Sequence, residues 1–402
     1  MPYRITGLTS LHDVMGDWIV YRNLVPADRR LPAIDALRGP LDLEPALNRA
    51  GKPALSLAKE ILRFAQNDKE GPALPRKAEP AYGRVVAEML RCARALDLPG
   101  ATVRRLIYIG DTRLNDGTAF DNLCAAGSWP GWAFIGRDDM RSPAQVQVEG
   151  RLYLANRWSA LPDFVDFVEE KGFPLDEGTA AVIDVDKTAI GARGRNDQAI
   201  DQARVEGIQH TVADLLGPSF DQAAFQGAYD ALNQPAYHAF TADNQDYLAY
   251  ICLMLGAGLF ELAALIAEVQ GGSLHSFGDF IAGVQARRAE LAPTGLTPIH
   301  DDVWRRVQVG DPTPFKAFRY NEYLATAARF GDMPGASPEQ VLAGRIVLTA
   351  EVRQAADALR ERGAVVFGVS DKPDEASLPN EEQARAGMQP LHRLQTLAVS
   401  AI

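Results

Sequence analysis

The sequence predicts an α/β fold, in which a doubly wound parallel β-sheet is covered by helices and interrupted by a large all-helical insertion. Helical patterns alternate with short apolar runs from residue 80 to residue 184 and again after residue 349. Such alternation is typical of a parallel sheet covered by helices. Residues 191–345 show helical patterns without a convincing strand. The 402 residues are enough for two or three structural units at roughly 100–200 residues each.

The predicted core begins after an N-terminal segment whose role the sequence does not indicate. We assign residues 1–75 to an N-terminal extension and linker, because residues 65–72 are polar and rich in breakers. Residues 76–190 then form the first part of the core. Its first predicted elements are a helix from Pro80, a strand at residues 106–109, a helix near Ala119 and a strand at residues 131–135.

The alternation continues up to the helical insertion. Ser159 is a candidate N-cap for the next helix, and the buried strand at residues 179–183 ends at Asp184. Residues 191–345 form the insertion. Its predicted helices lie at residues 199–216, 223–232, 247–269 and 277–291.

The second part of the core comprises residues 346–402. Thr349 is a candidate N-cap for a helix that ends at Gly363. Strands are predicted at residues 364–369 and 394–400. The chain therefore leaves the predicted core for the insertion and returns to it.

Charge and hydropathy exclude some classes of function. A formal net charge of -11 argues against non-specific binding to nucleic acid or to anionic membranes. The N-terminus lacks the apolar core of a secretory signal, so we expect a cytoplasmic location. Residues 248–267 are about as long as a membrane span, but two glycines interrupt them and no Lys or Arg cluster flanks them. We therefore expect a buried helix or helix pair there.

Small polar or acidic side chains follow three of the predicted strands. Asp111 and Asp116 follow one strand, Asp184 and Asp186 follow another, and Ser370 follows a third. Since strand ends in such a sheet lie side by side, we expect these groups to converge. Phosphoryl transfer needs a nucleophile, a proton donor and a cation. Clustered carboxylates repel one another unless a cation joins them, and an all-oxygen site suits Mg²⁺.

With these motifs, the chain resembles the haloacid dehalogenase superfamily of aspartate-nucleophile phosphotransferases. Residues 184–188 match its first motif, Asp-x-Asp-x-Thr, and Ser370 matches the second, a Ser or Thr that closes a strand. Lys77 matches the third, a lysine ahead of a helix. Residues 110–116 match the fourth, Gly-Asp-x-x-x-x-Asp. The resemblance covers residues 76–135 and 176–400 and implies a Rossmann-like sheet.

The order of the motifs departs from the family pattern. The third and fourth motifs precede the first and second, which indicates a circular permutation within the resemblance. Termini that lie close together make such permutations tolerable. The helical insertion between Thr188 and Ser370 takes the place where many family members carry a cap domain. Under this hypothesis, removal of the N-terminal 120 residues abolishes catalysis.

The resemblance implies a role for each motif residue. Asp184 would attack phosphorus, and Asp186 would protonate the leaving oxygen and then activate water. The phosphate site would comprise Thr188, which orients the aspartate loop, together with Ser370 and Lys77. Mg²⁺ would be held by Asp184, the main-chain carbonyl of Asp186, Asp111 and Asp116, the last as a further or water-mediated ligand. The acid two residues after the nucleophile favours a phosphatase over a dehalogenase.

Some assignments stay open at this point. Lys372 competes with Lys77 for the phosphate, and Arg193 and Arg195 are candidate substrate contacts that a solvated turn would explain equally well. The implied partner is a small phosphorylated substrate, with no nucleic acid or membrane, while the sequence leaves the substrate and the oligomeric state undetermined.

Two alternatives compete with the phosphomonoester hydrolase. One is a catalytically silent protein of the same fold that uses the insertion to bind a partner. The other is a tandem arrangement whose first domain is degenerate, with Asp13 and Asp17 as a ruined first motif. One distance separates the permuted from the tandem interpretation. The permuted chain needs the carboxylates of Asp111 and Asp184 within about 4–6 Å of each other, because both would bind one metal.

Overall fold

The computed structural model describes residues 3–41 and 74–402. These residues form two compact units, which we call the α/β unit and the helical unit. The α/β unit contains residues 3–41, 74–203 and 325–402, and the helical unit contains residues 204–324. The predicted loop at residues 65–72 lies outside the described residues. The N-terminal residues 3–41, for which the sequence indicated no role, are part of the α/β unit.

The α/β unit contains a seven-stranded sheet and a three-stranded sheet. The strands are β1 (Tyr3–Thr9), β2 (Ile19–Val20), β3 (Arg105–Gly110), β4 (Gly131–Gly136), β5 (Val146–Glu149), β6 (Leu152–Ala155), β7 (Thr179–Asp184), β8 (Leu348–Thr349), β9 (Val365–Val369) and β10 (Thr396–Ala401). The large sheet has the order β2-β9-β7-β3-β4-β6-β5. Its neighbours pair in parallel except β5 and β6, which are antiparallel.

Helices surround the sheet and make up the helical unit. Those of the α/β unit are α1 (Leu11–Met15), α2 (Ile34–Leu37), α3 (Pro80–Asp97), α4 (Asn115–Gly127), α5 (Leu161–Glu170), α14 (Pro338–Gly344), α15 (Ala350–Glu361) and α16 (Glu381–Arg385). The helical unit contains α7 (Gln222–Leu232), α8 (His238–Thr241), α9 (Gln245–Gly256), α10 (Leu262–Gln270), α11 (Phe277–Ala286) and α12 (Thr297–Gln308). The boundaries between the units fall within α6 (Asp197–Leu216) and α13 (Lys316–Ala327).

Alternating side chains of the central strands enter two hydrophobic cores. In β3, Leu106 belongs to the core that α3 and α4 cover, whereas Ile107 belongs to the core that α5 and α15 cover. In β7, Ala180 and Ala181 divide in the same way. Because the strands are buried on both faces, they are apolar at nearly every position, as is usual for a doubly covered parallel sheet. The prediction of a mostly parallel α/β sheet is therefore confirmed.

The structure corrects several predicted details. Ser159 does not cap a helix: it lies within a short 3₁₀ turn at Trp158–Ala160, and α5 begins at Leu161 without a side-chain cap. Thr349 precedes α15, but its hydroxyl donates a hydrogen bond to the Thr188 carbonyl instead of capping the helix. The predicted C-terminal strand exists as β10, but it belongs to the small sheet, where it lies between β1 and β8.

The helical unit has its own apolar core, and we describe it separately. Residues 248–267 form parts of two helices, α9 and α10, as expected for a helix pair. Aromatic side chains pack closely in this core; the rings of Tyr247 and Phe277 stack with their centroids 3.9 Å apart. Among the described residues, no helix has the length and hydropathy needed to cross a membrane.

Candidate active site

Three adjacent strands carry the predicted motif residues to one edge of the large sheet. Asp184 ends β7, Asp111 follows β3 and Ser370 follows β9. Since β7 pairs in parallel with both neighbours, the carboxyl ends of all three strands lie at the same edge. Ligands of open parallel sheets bind at this edge. The motif that comes first in the chain and the one that comes last therefore flank the central one.

Three carboxylates converge at this edge. One oxygen from each of Asp111, Asp116 and Asp184 can be chosen so that all three atoms lie within 4.8 Å of one another. The prediction that Asp111 and Asp184 share one site is thus confirmed in its geometry. Asp184 and Asp116 are 5% and 1% exposed. Asp111 exposes part of its main chain, but its side chain is only 6% exposed. We call these three residues the aspartate cluster.

Lys77 neutralises part of the charge of the aspartate cluster. It lies just before α3, and its buried Nζ donates hydrogen bonds to Asp116 Oδ1 at 2.7 Å and to Asp184 Oδ1 at 2.5 Å. Burial, the largest influence, acts to lower the pKa of Lys77, but the two carboxylates outweigh it and raise the pKa well above its usual value. Lys77 therefore carries a positive charge, and it contacts Asp184 directly.

Asp116 is the most fully engaged member of the cluster. Its Oδ1 also accepts a hydrogen bond from Tyr108, and its Oδ2 accepts from the main chain of Asp111 and from the main chain and hydroxyl of Thr112. Burial acts to raise its pKa, but the charge and hydrogen bond of Lys77 hold the pKa well below its ordinary value. Asp116 is ionised and holds the loop that carries Asp111.

Gly110 makes this close packing sterically feasible. A Cβ atom at Gly110 would lie 2.6 Å from both Cβ and Cγ of Asp116, which is closer than such atoms approach. The glycine of the Gly-Asp pair is therefore required by the contact between the strand end and the Asp116 side chain.

For the other two carboxylates, Asp184 and Asp111, the surroundings disfavour the ionised form. Burial raises the pKa of Asp184 well above its ordinary value; Lys77 opposes this effect, while Asp116 and Asp111 add to it. Burial and then the charge of Asp116 raise the pKa of Asp111 to about 7, although Arg193 acts in the opposite direction. Carboxylates this close together cannot all be ionised without further positive charge. The cluster therefore favours binding of a cation.

Arg193 supplies part of that charge, whereas the prediction for Arg195 is wrong. The guanidinium of Arg193 donates a hydrogen bond to Asp111 Oδ2, and about a third of the Arg193 side chain, 36%, is exposed. Arg195 is fully buried and forms ion pairs with Asp138 and Glu351. Arg195 cannot contact a substrate because its donors already hold the structure together.

The first and second motifs meet through their polar side chains. Ser370 Oγ donates a hydrogen bond of 2.9 Å to Asp186 Oδ2 and accepts one of 2.9 Å from the main chain of Lys372. Asp186 is partly exposed, so the proposed acid and base can reach a ligand and water. Lys372, the competitor of Lys77, is buried beside Ser370.

Thr188 has an unusual environment. It is fully buried, and its hydroxyl finds no hydrogen-bond partner among the described residues. A buried hydroxyl without a partner is unfavourable by about 1–3 kcal/mol. Such groups at a site are typical of residues that serve a ligand or hold a strained loop. The neighbouring Lys187 has a φ of 62°, in the left-handed region that non-glycine residues seldom adopt.

The donor set fits a hard divalent cation. Arg193 contacts one oxygen of Asp111 and Lys77 contacts one oxygen of Asp184, which leaves a second oxygen on each carboxylate. All the converging atoms are carboxylate oxygens, the ligand type that Mg²⁺ prefers. Asp116 has little remaining capacity, since five donors already share its two oxygens. Asp111 and Asp184 are therefore the better direct ligands.

Sequence reasoning missed Tyr108 and Thr112. Tyr108 lies within an apolar strand, and a fully buried tyrosine normally needs a partner for its hydroxyl. That requirement was the available signal. Thr112 gave no comparable signal, because its contact with Asp116 depends on how the loop after β3 turns back.

Nothing among protein-family models, curated proteins or solved structures matches the chain. The geometry of the site therefore carries the functional argument.

Proposed function

We propose that this protein is a magnesium-dependent phosphomonoester hydrolase of the haloacid dehalogenase type, acting on a small phosphorylated substrate through an aspartyl-phosphate intermediate. One observation carries the proposal: the carboxylates of Asp184, Asp111 and Asp116 converge at the carboxyl ends of adjacent strands, with Lys77 on Asp184. Nucleophile, positive charge and metal donors are thereby assembled in one place.

The positions of the side chains support a reaction in two steps. An oxygen of Asp184 attacks phosphorus, the bond to the leaving oxygen breaks, and Asp186 delivers a proton to that oxygen. Asp186 then removes a proton from water, which attacks the aspartyl phosphate and releases phosphate and free Asp184. Ser370 holds Asp186 through the hydrogen bond between them and, with Lys77, binds phosphate oxygens.

Asp184 and Asp111 would hold Mg²⁺ together with the main-chain carbonyl of Asp186, and Asp116 would act as a further or water-mediated ligand. When bound, the ion neutralises negative charge on the transferring phosphoryl group. Lys77 and Arg193 contribute positive charge from the protein side.

We also propose that the order of the motifs is a circular permutation. The four motifs resemble those of the family, and the strands that carry them are adjacent in one sheet despite their order in the chain. The tandem alternative receives no support from Asp13, which forms a capping box with Ser10 at the start of α1. Truncating the first 120 residues is not a sharp test, because it would also remove β3 from the centre of the sheet.

The decisive experiment measures phosphate release from an aryl phosphate with and without Mg²⁺, using the intact chain. We expect magnesium-dependent release, and a loss of at least about a thousandfold in Asp184→Asn, because the amide is no nucleophile. Asp13→Asn is the matched control: it is the same chemical change in the ruined first motif of the tandem alternative, outside the proposed site, and it should retain activity.

Two outcomes would overturn the proposal. Activity that survives Asp184→Asn would show that Asp184 is not the nucleophile. A complete lack of turnover with the aryl phosphate and with a panel of phosphorylated metabolites would favour a catalytically silent binding protein.

Asp111→Asn tests the metal assignment separately. Because Asp111 is a proposed direct ligand, its amide should raise the Mg²⁺ concentration for half-maximal activity by about tenfold or more. An unchanged magnesium dependence would remove Asp111 from the ligand set.

A further inference from the structure

A second pocket adjoins the aspartate cluster inside the α/β unit. It has a volume of about 330 Å³, and Asp111 forms one wall. From there it extends past Arg113, Arg137 and Gln145, over a floor that includes Ile135 and Leu154. Since Asp111 is also a member of the cluster, the two sites are contiguous.

The outer part of the pocket is built by β4, which the sequence predicts, and by the hairpin of β5 and β6, which it does not. β4 pairs in parallel with both β3 and β6, so the carboxyl ends of these strands face the same edge as Asp184. The antiparallel hairpin of β5 and β6 then extends the wall outward. The hairpin therefore adds a compartment beyond the one that the four motifs require.

Most charges around the pocket are already compensated. Arg113 forms an ion pair with Glu149, and Asp111 forms one with Arg193. Arg137 is different: its side chain is exposed, and among the described residues it forms no side-chain hydrogen bond or ion pair, although its charge interacts with that of Asp139. The pocket thus presents one guanidinium whose N–H donors are not engaged by the protein, and Gln145 lines the same pocket.

We propose that this pocket binds a second anionic group of the substrate, a carboxylate or a second phosphate, through Arg137. The inference rests on the proposed function, because the first anionic group is the phosphoryl group at Asp184. A guanidinium offers paired N–H donors that match carboxylate and phosphate oxygens. The apolar floor of Ile135 and Leu154 suits the carbon chain between the two groups.

The strand spacing limits the size of the substrate. Arg137 follows β4 and Asp184 ends β7, and β3 lies between these strands. Two strand spacings are about 10 Å, so a side chain of arginine length brings the two anionic groups to roughly 5–10 Å apart. The substrate class is therefore a compact phosphomonoester with a second anionic group a few bonds away.

The test compares three synthetic esters that share one carbon chain: propyl phosphate, its analogue with a terminal carboxylate and its analogue with a terminal phosphate. For the intact wild-type chain, kcat/KM for at least one analogue with a second anionic group should exceed that for propyl phosphate by about tenfold or more. In Arg137→Gln, the ratio of the two kcat/KM values should fall to about threefold or less. Arg141→Gln, an exposed arginine outside the pocket lining, is the matched control and should keep the preference.

Binding separates this inference from the proposed function. Calorimetry on Asp184→Asn, which cannot turn the esters over under the proposal, should show tighter binding of an analogue with a second anionic group than of propyl phosphate. A second change of Arg137→Gln should remove the difference. If all three esters are turned over without a preference that depends on Arg137, the proposed role of the pocket is wrong and the proposed hydrolase function stands. Arg137-dependent binding without any turnover would overturn the hydrolase and support the pocket. A preference that both arginine variants lose equally would overturn the pocket, because it would report only the general charge of the surface.

Discussion

Both units of this protein bury carboxylates around a cation, and the aspartate cluster of the α/β unit differs from a cluster of the helical unit in how its charges are satisfied. In the helical unit, Asp246 accepts hydrogen bonds from Arg319 and from the main chain of Phe315, and Arg319 also pairs with Glu322. We call Asp246, Arg319 and Glu322 the Arg319 cluster. In the α/β unit, Lys77 joins only one oxygen each of Asp116 and Asp184.

The difference lies in geometry and not in burial. The Arg319 cluster is carried by helices, and the planar guanidinium matches its carboxylates with several donors. The aspartate cluster lies at strand ends, and it is the group of three whose oxygens converge tightly enough for a metal ion within residues 3–41 and 74–402. Buried charge alone therefore does not mark a functional site. The aspartate cluster differs in that its oxygens converge and their charge is incompletely compensated.

The largest expected effect comes from removing the cation of each cluster. Lys77→Met and Arg319→Met each remove a buried cation that two buried carboxylates share, and each should lower the free energy of unfolding by about 3–5 kcal/mol. Glu322 keeps its ion pair with Arg204 in the second variant. If the aspartate cluster binds metal, Mg²⁺ should restore much of the loss in Lys77→Met and none in Arg319→Met. Urea unfolding with and without Mg²⁺ measures both. Equal rescue of the two variants, or rescue of neither, would erase the functional distinction between the clusters.

The pH of the urea unfolding experiments matters, because the buried His392 makes the stability depend on pH. Burial lowers the pKa of His392 to about 4 from its ordinary 6.5, and its ring contacts Tyr21 and Asp17. Between pH 6.5 and 4 the unfolded chain binds the proton more readily, so stability is present above pH 6.5 and is lost as the pH falls through this window. The loss should approach about 3 kcal/mol.

Urea unfolding across that range measures the effect. His392→Asn should flatten the profile between pH 4 and 6.5, since it removes the titrating ring. A slope that persists in the variant would assign the acid sensitivity to other groups. Both clusters are best compared above pH 6.5, where His392 contributes no slope.

Two glycine substitutions, at Gly110 and Gly117, test whether the aspartate cluster depends on close packing. Gly110→Ala places a methyl group 2.6 Å from Asp116 and should cost about 1–3 kcal/mol of stability by overpacking. It should also impair phosphate release, because Asp116 holds the loop of Asp111. Gly117→Ala, in α4, meets only a Leu152 methyl group at 3.7 Å and should be neutral or stabilising by up to about 1 kcal/mol. Similar behaviour of the two variants would argue against a close fit at Gly110.

The smallest expected effect concerns Thr188. Because its buried hydroxyl lacks a partner among the described residues, Thr188→Val should raise the stability by about 1 kcal/mol. We expect phosphate release to fall in the same variant, since the residue serves the phosphate site or its loop. Thermal unfolding and the aryl phosphate assay test the two expectations. A stabilised variant with full activity would make Thr188 a residue of the core only.

Much of the site was predictable because its signals are local. Asp184, Asp111 and Ser370 each directly follow an apolar run, and a strand buried on both faces leaves such a run in the sequence. The β5 and β6 hairpin gave a weaker signal, since its β5 positions are largely exposed and no apolar run marks it. The pocket beside Arg137 was missed for the same reason.

Contacts between distant segments were not predictable from local patterns. Arg193 and Arg195 are two residues apart and looked equivalent, yet one pairs with Asp111 at a partly exposed position and the other is buried against Asp138 and Glu351. Sequence spacing cannot distinguish them, because the difference depends on how the loop after β7 packs. The N-terminal strands β1 and β2 were missed similarly, since β2 is two residues long and gains its identity from pairing with β9.

By itself, the sequence determined the alternation of helices and strands and the chemical nature of the strand-end residues, because periodicity and residue type are properties of neighbouring positions. Only the tertiary structure decided that residues 77, 111 and 184 share one site, which partner each cation takes, and that a pocket opens beside Asp111. The order of strands in a sheet depends on burial and hydrogen bonding across the whole chain. Local sequence patterns do not encode it in a readable form.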